Sequence, residues 1–269
     1  MDKCNIILQE VKLVTRIIAI ANQKGGVGKT TTAINLSTCV AERGKKVLLI
    51  DIDPQGNATS GVGINKQPDD KSIYDVLVND EPIVNIIRPT MVKNLHICQS
   101  SINLAGAEVE LVSLMARETR LKKAIEEMEQ KYDYIFMDCP PSLGLITLNA
   151  FAAASSVLVP IQCEYYALEG LGQLVNTIKL VQKNLNPDLE IEGVVMTMYD
   201  SRTRLSSQVA EEVKKYFDDK VFETVIPRNI RLSEAPSHGL PITVYDPLSK
   251  GARTYKKLAK ELVSKHKNK

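Results

Sequence analysis

One stretch decides the fold of this chain: Asn22-Gln23-Lys24-Gly25-Gly26-Val27-Gly28-Lys29-Thr30-Thr31-Thr32. A β-rich apolar run, residues 16–21, comes directly before it. After it comes a helical pattern in which Ala33, Ile34, Val40 and Ala41 share one face. Between a strand and a helix, glycines let backbone N–H groups close around an anion, and the helix N-terminus adds unpaired donors and a favourable dipole. The stretch therefore predicts a phosphate-binding loop.

The end of this stretch has the residues of a P-loop. In Gly28-Lys29-Thr30, the lysine is placed to reach the β- and γ-phosphates of a nucleotide and the threonine is placed to ligate Mg²⁺. The standard pattern requires a glycine five residues before Gly28, where this chain has Gln23. A second lysine, Lys24, stands before the glycine pair instead. This departure separates the loop from the standard pattern.

The run from Lys24 to Thr31 resembles the deviant Walker A motif of the ParA/MinD superfamily of P-loop ATPases. The resemblance implies ATP as the ligand and Mg²⁺ as the cofactor. It also implies that Lys24 crosses a dimer interface to touch the partner's nucleotide and that Lys24 and Lys29 take part in catalysis. The residues expected to bind ATP are Lys24, Gly25, Gly26, Val27, Gly28, Lys29, Thr30 and Thr31.

A second candidate segment follows the apolar run Val47 to Ile50, which lacks polar alternation and so predicts a parallel strand buried on both faces. Asp51 and Asp53 stand at its carboxyl end, the edge of an open α/β sheet where ligands bind. Taken alone, two carboxylates there could ligate a cation, orient water or cap a helix. Asp-x-Asp-Pro-Gln resembles the first switch of the superfamily, which implies that Asp53 positions the attacking water.

A third segment, residues 132–141, runs through four apolar residues into Asp138 and then into Pro140 and Pro141. An apolar strand ending in aspartate, about a hundred residues after a P-loop, resembles Walker B. Asp138 is then expected behind Mg²⁺ as a catalytic residue, with Thr30 as the direct ligand and with Asp53 and Asp138 contacting the ion through water. The paired prolines fix the exit of the following switch loop.

Buried strands and helices alternate from residue 16 to residue 262. The alternation predicts an α/β fold, a single-domain doubly wound, mainly parallel sheet flanked by helices, as in P-loop NTPases. We expect the ATPase domain over residues 16–265 and a poorly ordered leader over residues 1–15. Among the local predictions are a helix N-cap at Ser72, one helix over 105–129 and a strand over 221–226.

The composition narrows the class of protein. Of the 269 residues 44% are hydrophobic and 25% charged, which predicts a well-buried core. The net charge of +2 means that any nucleic-acid contact must come from a local patch. No apolar run approaches the roughly 20 residues of a membrane span, and the first 15 residues lack a signal-peptide core, so we expect a cytoplasmic protein. Five widely spaced cysteines without a CxxC pair favour reduced thiols.

The segment from Gln162 to Gly170 resembles the ParA/Soj branch of the superfamily, and the likeness extends from Arg16 to Leu262. Membership implies a partitioning ATPase, associated with the nucleoid, that dimerises with ATP and hydrolyses it slowly. It implies two partners, double-stranded DNA bound without sequence preference and a stimulating ParB-type centromere-binding protein. Pro227 and Asn229 match the loop on the adenine side of the family's nucleotide site, and the family's DNA-binding arginines match Arg202 and Arg231.

Other classes of function stay open at this point. A MinD-like membrane-associated ATPase would use an amphipathic C-terminal helix, and Tyr255, Leu258, Ala259, Leu262 and Val263 do share one face. That face is short, which favours packing on the sheet. A tyrosine kinase would need a tyrosine-rich tail. A DNA-binding module would not need the P-loop and its aspartates. An iron–sulfur protein would need a second cysteine ligand beside Cys139.

Overall fold

The structure is a computed structural model that describes residues 15–67, 69–129, 131–164 and 169–267. The leader expected over residues 1–15 lies outside these ranges except for Thr15. The strands are β1 (Arg16–Ile20), β2 (Val47–Asp51), β3 (Ile87–Pro89), β4 (Leu95–Cys98), β5 (Tyr134–Asp138), β6 (Ser156–Gln162) and β7 (Glu190–Thr197). The first helices are α1 (Lys29–Glu42), α2 (Asn57–Gly61), α3 (Ile73–Asn79), α4 (Leu104–Leu111), α5 (Arg120–Glu126) and α6 (Leu145–Ala153). The later helices are α7 (Glu169–Asn184), α8 (Arg204–Phe217), α9 (Ile230–Glu234), α10 (Ile242–Tyr245) and α11 (Lys250–Lys267).

The strands form one sheet in the order β3-β4-β2-β5-β1-β6-β7. All neighbouring pairs are parallel except β3 and β4 at one edge. The central strands are buried on both faces, as their apolar runs predict: all five residues of β2 and of β5 are buried. The predicted mainly parallel, doubly wound fold is confirmed.

Hydrophobic layers lie on both faces of the sheet. In β1, Ile18 and Ile20 face the layer that contains α1 and α11, whereas Ala19 faces the layer that contains α3 to α8. The apolar residues of α11 that share one face are all buried, with at most 5% of their surface exposed. The C-terminal helix therefore packs against the domain, as the short face favours, and offers no apolar surface to a lipid bilayer. None of the helices within the described ranges is long and apolar enough to cross a membrane.

Tertiary contacts changed two of the local predictions. The single helix expected over 105–129 is wrong, because α4 and α5 are separated by turns in which Ala116 has a φ of 51°. The buried side chain of Asn149 in α6 explains the break. Its Nδ2 donates to the Arg117 carbonyl at 2.7 Å, and its Oδ1 accepts from the Leu121 N–H at 3.1 Å. These bonds use backbone groups that a continuous helix would need for itself.

The expected strand over 221–226 is also wrong. This segment runs beside β7 and contacts it through isolated bridges, Val194 to Val221 and Tyr199 to Pro227, so a regular ladder does not form. The N-cap prediction is confirmed, since the Ser72 hydroxyl accepts from the Tyr74 N–H and Asp75 completes a capping box. The short antiparallel strand β3 was not predicted, because three residues ending in a proline give too little pattern to recognise.

Candidate active site

The phosphate-binding loop joins β1 to α1. Gly26 and Gly28 have φ values of 73° and 87°, in the left-handed region that favours glycine. Gly28 is the N-cap of α1 and gives it no side-chain cap, so the first N–H groups of a 14-residue helix stay available to a ligand. Asn22 braces the loop, donating to the Pro160 carbonyl at 2.7 Å and accepting from the Lys24 N–H at 3.0 Å.

Lys29 lies inside this loop rather than on its surface. Its side chain is buried, and Nζ donates to the Lys24 carbonyl at 3.1 Å. Burial lowers the pKa of Lys29, and the negative charges of Asp138 and Asp53 oppose that effect. The ammonium group therefore lies between the loop and the carboxylates, where a phosphate chain would meet it.

Three aspartates converge at the carboxyl edge of the sheet. Asp138 ends β5, opposite Asp51 of β2 on one side and Ile20 of β1 on the other. The side chains of Asp138 and Asp51 are completely buried, and Asp53 is 8% exposed. Neighbouring parallel strands all end at the same edge, which is why residues far apart in the chain meet next to the phosphate-binding loop.

The carboxylates of this cluster differ in their hydrogen bonding. Asp51 is well satisfied: Oδ2 accepts from the N–H and the hydroxyl of Thr59, both at 2.7 Å, and Oδ1 accepts from the Asp53 N–H at 3.2 Å. Burial nevertheless raises the pKa of Asp51 to about 6. In the part of the chain that the structure describes, neither oxygen of Asp138 has a hydrogen-bond partner.

Burial, followed by the charge of Asp51, raises the pKa of Asp138 well above its usual range. The nearby Thr30 hydroxyl and Lys29 oppose the rise. Two orphaned carboxylate oxygens beside a threonine hydroxyl make a hard, oxygen-rich set of the kind that Mg²⁺ and its bound water prefer. The residues present therefore fit a magnesium ion, and such an ion would satisfy the oxygens that the protein leaves without donors.

Asp53 is held by Gln55 of its own motif and by Ser100, which the sequence did not single out. Its Oδ1 accepts from the Gln55 N–H at 2.9 Å, which forms the turn of the first switch. The Ser100 hydroxyl, from the loop after β4, donates to the Asp53 carbonyl at 2.5 Å. The Ser100 N–H donates in turn to the Thr59 hydroxyl at 3.0 Å. The position of Ser100 just past a strand end was the available signal, but only the pairing of β2 with β4 brings it to the switch.

A cavity of about 590 Å³ opens beside the helix end of the phosphate-binding loop. Pro227 and Asn229, which the sequence predicts on the adenine side, line it, together with Thr197 and Tyr255, which sequence reasoning missed. Thr197 donates to the Val27 carbonyl at 2.8 Å, and the Tyr255 hydroxyl lies 3.2 Å from that of Thr32. The cavity is thus joined to the loop by direct hydrogen bonds, and its apolar walls suit a nucleotide base.

Lys24 projects away from the buried cluster. Its Nζ lies 3.6 Å from Glu164, and about one third of its side chain is exposed. Arg228, at the mouth of the cavity, lies 3.8 Å from the other oxygen of the same carboxylate. In this conformation the lysine therefore pairs with a carboxylate of its own chain, at the surface of the phosphate-binding loop.

Arg202 and Arg231 lie outside the cluster. Arg202 is in the exposed loop after β7 and Arg231 is in α9, and the segments just before them meet where Tyr199 bridges to Pro227. Arg202 makes a forked pair with Asp200, with N–O distances of 2.9 and 2.7 Å. Arg231 lies 2.9 Å from Glu234 and 3.5 Å from Asp246. Hydrogen bonds from Arg202 lower the pKa of Asp200. Both arginines are exposed, and each is neutralised by an acidic neighbour.

Comparison with known proteins identifies relatives along almost the whole chain. A family model described as an AAA domain matches residues 15–191. The sporulation initiation inhibitor protein Soj of Bacillus subtilis is 63% identical over 249 residues, covering 93% of this chain and 98% of that protein. The chromosome partitioning protein ParA of Myxococcus xanthus is 55% identical, covering 94% and 89% of the two chains. Cobyrinic acid a,c-diamide synthase from Mycobacterium smegmatis, solved with ADP and magnesium, has a TM-score of 0.83 at 38% identity, covering 94% and 96%.

Proposed function

Because this chain belongs to the ParA/Soj family of chromosome-partitioning ATPases, we propose that it hydrolyses ATP with Mg²⁺ and that ATP binding drives it to dimerise and to bind DNA. A ParB-type centromere-binding protein then stimulates hydrolysis and resets the cycle. The protein would act in the cytoplasm on the nucleoid. Turnover without the partner is slow in this proposal.

The observation that carries the ATPase assignment is the buried cluster of Lys29, Asp51, Asp53 and Asp138 beside an uncapped helix N-terminus. The backbone of residues 25–31 and the Lys29 ammonium would bind the phosphates, while Thr30 and Asp138 would hold a magnesium ion and its water. Bound magnesium would supply the charge that neutralises the phosphates. Asp53 orients the attacking water, and closure of the site removes bulk water, which strengthens these electrostatic interactions.

The position of Lys24 supports the proposed dimerisation. Its ammonium group lies at the loop surface in a half-exposed pair with Glu164, and it can exchange that partner for a phosphate across an interface. Each subunit then helps to neutralise the other's nucleotide. ATP is part of the interface, and its hydrolysis weakens the dimer.

Arg202 and Arg231 support the proposed DNA binding, because both are exposed and DNA phosphates could replace their acidic partners Asp200 and Glu234. One subunit offers few phosphate contacts, and a dimer offers twice as many. Because each contact with a phosphate releases counterions, affinity should be strongly salt-dependent and should require ATP.

A DNA-retention assay tests the proposal. Unrelated duplexes would be immobilised, and binding compared with ATP, with ADP and without nucleotide at several salt concentrations. Retention with ATP alone that weakens as salt rises is the expected result. Equal retention in all three states would contradict control by the nucleotide, and a lack of retention in every state would leave an ATPase without this DNA function.

A further inference from the structure

An exposed apolar surface lies on α4 and on the residues directly before and after it. It consists of Ile102, Val109, Val112 and Met115, which are 68%, 78%, 57% and 88% exposed; we call these four residues the α4 ridge. Val109 lies in α4 and Val112 is its C-cap residue, three positions on, so these two side chains share one side of the helix, while Ile102 precedes the helix and Met115 follows it. Adjacent exposed apolar side chains of this size are typical of a surface that another molecule covers.

The core does not account for the ridge. The opposite side of α4, Leu104, Ala107 and Leu111, is completely buried in the layer shared with α3 and α6. The helix has therefore already buried the apolar face that its packing requires. The ridge is a second apolar face, and folding of the subunit gains nothing from it.

The charges around the ridge are acidic. Glu110, next to Val109, is exposed and accepts from the Tyr74 hydroxyl at 2.8 Å, and the sequence has no lysine or arginine between Lys93 and Arg117. Arg117 pairs with Glu118 at 2.9 Å and donates to the Val112 carbonyl at 2.7 Å, so its charge is already engaged. An apolar stripe with acidic borders complements a segment that has apolar side chains and positive charges.

The segment that carries the ridge also contacts both loops of the candidate active site. At its start, the Ser100 hydroxyl holds the Asp53 carbonyl of the first switch at 2.5 Å. Further along, the Glu108 carboxylate fills the space in front of Gly144, where a Cβ atom would overlap it. Gly144 ends the loop that follows Asp138 and begins α6. A molecule bound to the ridge would therefore contact a segment that is connected to Asp53 through Ser100 and to the loop after Asp138 through Glu108.

The ridge and the two exposed arginines lie on different flanks of the sheet. Helix α4 follows β4, next to one edge, whereas Arg202 and Arg231 follow β7 at the other edge. A partner on the ridge would thus leave the arginines accessible to DNA.

We propose that the α4 ridge is the docking surface for a cationic amphipathic segment of the stimulating protein partner. The proposal rests on the proposed function and deepens it, since it locates where the partner acts. Docking buries Val109 and Met115, engages Glu110 with positive charges, and shifts the segment that holds Asp53 and faces Gly144.

The test uses the full chain with ATP and a synthetic amphipathic peptide that has lysines on one face and leucines on the other. Peptide affinity is measured by fluorescence anisotropy and stimulation by phosphate release. The double variant Val109→Ser/Met115→Ser removes the most exposed apolar groups, so folding and basal turnover should stay within about twofold of the parent. The matched control is Leu248→Ser, which removes an 81% exposed leucine from the loop between α10 and α11.

The expected result is at least a tenfold weaker peptide affinity for the double variant, with Leu248→Ser equal to the parent. Glu110→Gln should weaken binding about threefold and flatten its salt dependence. Parent-like affinity and stimulation in the double variant would overturn the proposal while leaving the proposed function intact. Loss of ATP-dependent dimerisation in the double variant without peptide, seen by light scattering, would assign the ridge to a second copy instead. If the peptide neither bound the parent nor stimulated its phosphate release, stimulation by such a partner would be overturned. The DNA-retention assay would still test nucleotide-dependent DNA binding.

Discussion

Asp138→Asn should stabilise the protein without nucleotide. The parent keeps a completely buried carboxylate whose two oxygens have no partner among the described residues, next to Asp51 and Asp53. An effective cost of several kcal/mol accompanies each buried ion, whereas an unsatisfied neutral amide costs about 1–3 kcal/mol. Above the raised pKa, where the carboxyl is ionised, we therefore expect the variant to gain about 2 kcal/mol, or about 4 °C in Tm for a domain of this size.

The gain should depend on pH in a defined direction. Because burial raises the pKa of Asp138, the folded parent holds a proton at this carboxyl at pH values where the unfolded chain is already ionised. The parent therefore loses stability as the pH rises through the raised pKa. The advantage of Asp138→Asn should be largest at high pH and should vanish near pH 4, where the carboxyl is protonated in the folded state and largely so in the unfolded chain.

With Mg-ATP bound, the parent should become more stable than Asp138→Asn. At a concentration of 100 times Kd, a ligand that binds only the folded state adds about 2.7 kcal/mol to the parent. The variant lacks the carboxylate that holds the magnesium water shell, so its gain should be much smaller. Urea denaturation from about pH 4 to about pH 8.5, with and without Mg-ATP, measures both effects.

Asp70→Asn is a control whose effect on stability should have the opposite sign. Hydrogen bonds from Arg88 lower the pKa of Asp70 to about 2, so this substitution should lower stability at neutral pH and lose its effect in acid. If Asp138→Asn were less stable than the parent at about pH 8 without nucleotide, the carboxylate would be well satisfied in the folded protein. The argument for a magnesium site from its orphaned oxygens would then be refuted.

Three further results are expected. Asp53→Ala should bind ATP but not hydrolyse it and should accumulate as a dimer by light scattering; retained turnover would show that another group orients the water. Arg231→Ala should weaken DNA retention on all sequences and reduce the slope of log affinity against log salt by about 1 for each phosphate interaction removed, and parent-like binding at every salt concentration would place the DNA surface elsewhere. His266→Ala removes hydrogen bonds of 3.1 Å to Tyr134 and 2.9 Å to Glu192 near the amino ends of the strands, so it should cost about 1–3 kcal/mol in urea denaturation. Its turnover per folded molecule should match the parent, and a reduced turnover would contradict the separation of His266 from the site.

Much of the fold was predictable because its signals are local. The glycines and Lys29 occupy a loop of fixed length between a strand and a helix, and Asp51 and Asp138 each follow an uninterrupted apolar run. Such runs form the buried strands of a parallel sheet, and aspartates at their carboxyl ends must meet at one edge whatever the exact strand order. The packing of α11 was also foreseeable, since its apolar face is too short for a membrane helix.

The order of residues alone specifies the set of groups at that edge: the phosphate-binding loop, the lysine inside it and the aspartates beside it. The hydrogen-bond partners and the burial of these groups depend on the packing of distant segments. The placement of β2 between β4 and β5 gives Asp51 its Thr59 donors and Asp53 its Ser100 donor, while Asp138 is left without any among the described residues. Asn149 broke a helix that local propensity favours. Burial and partner choice depend on which distant segments become neighbours, and no local pattern specifies that.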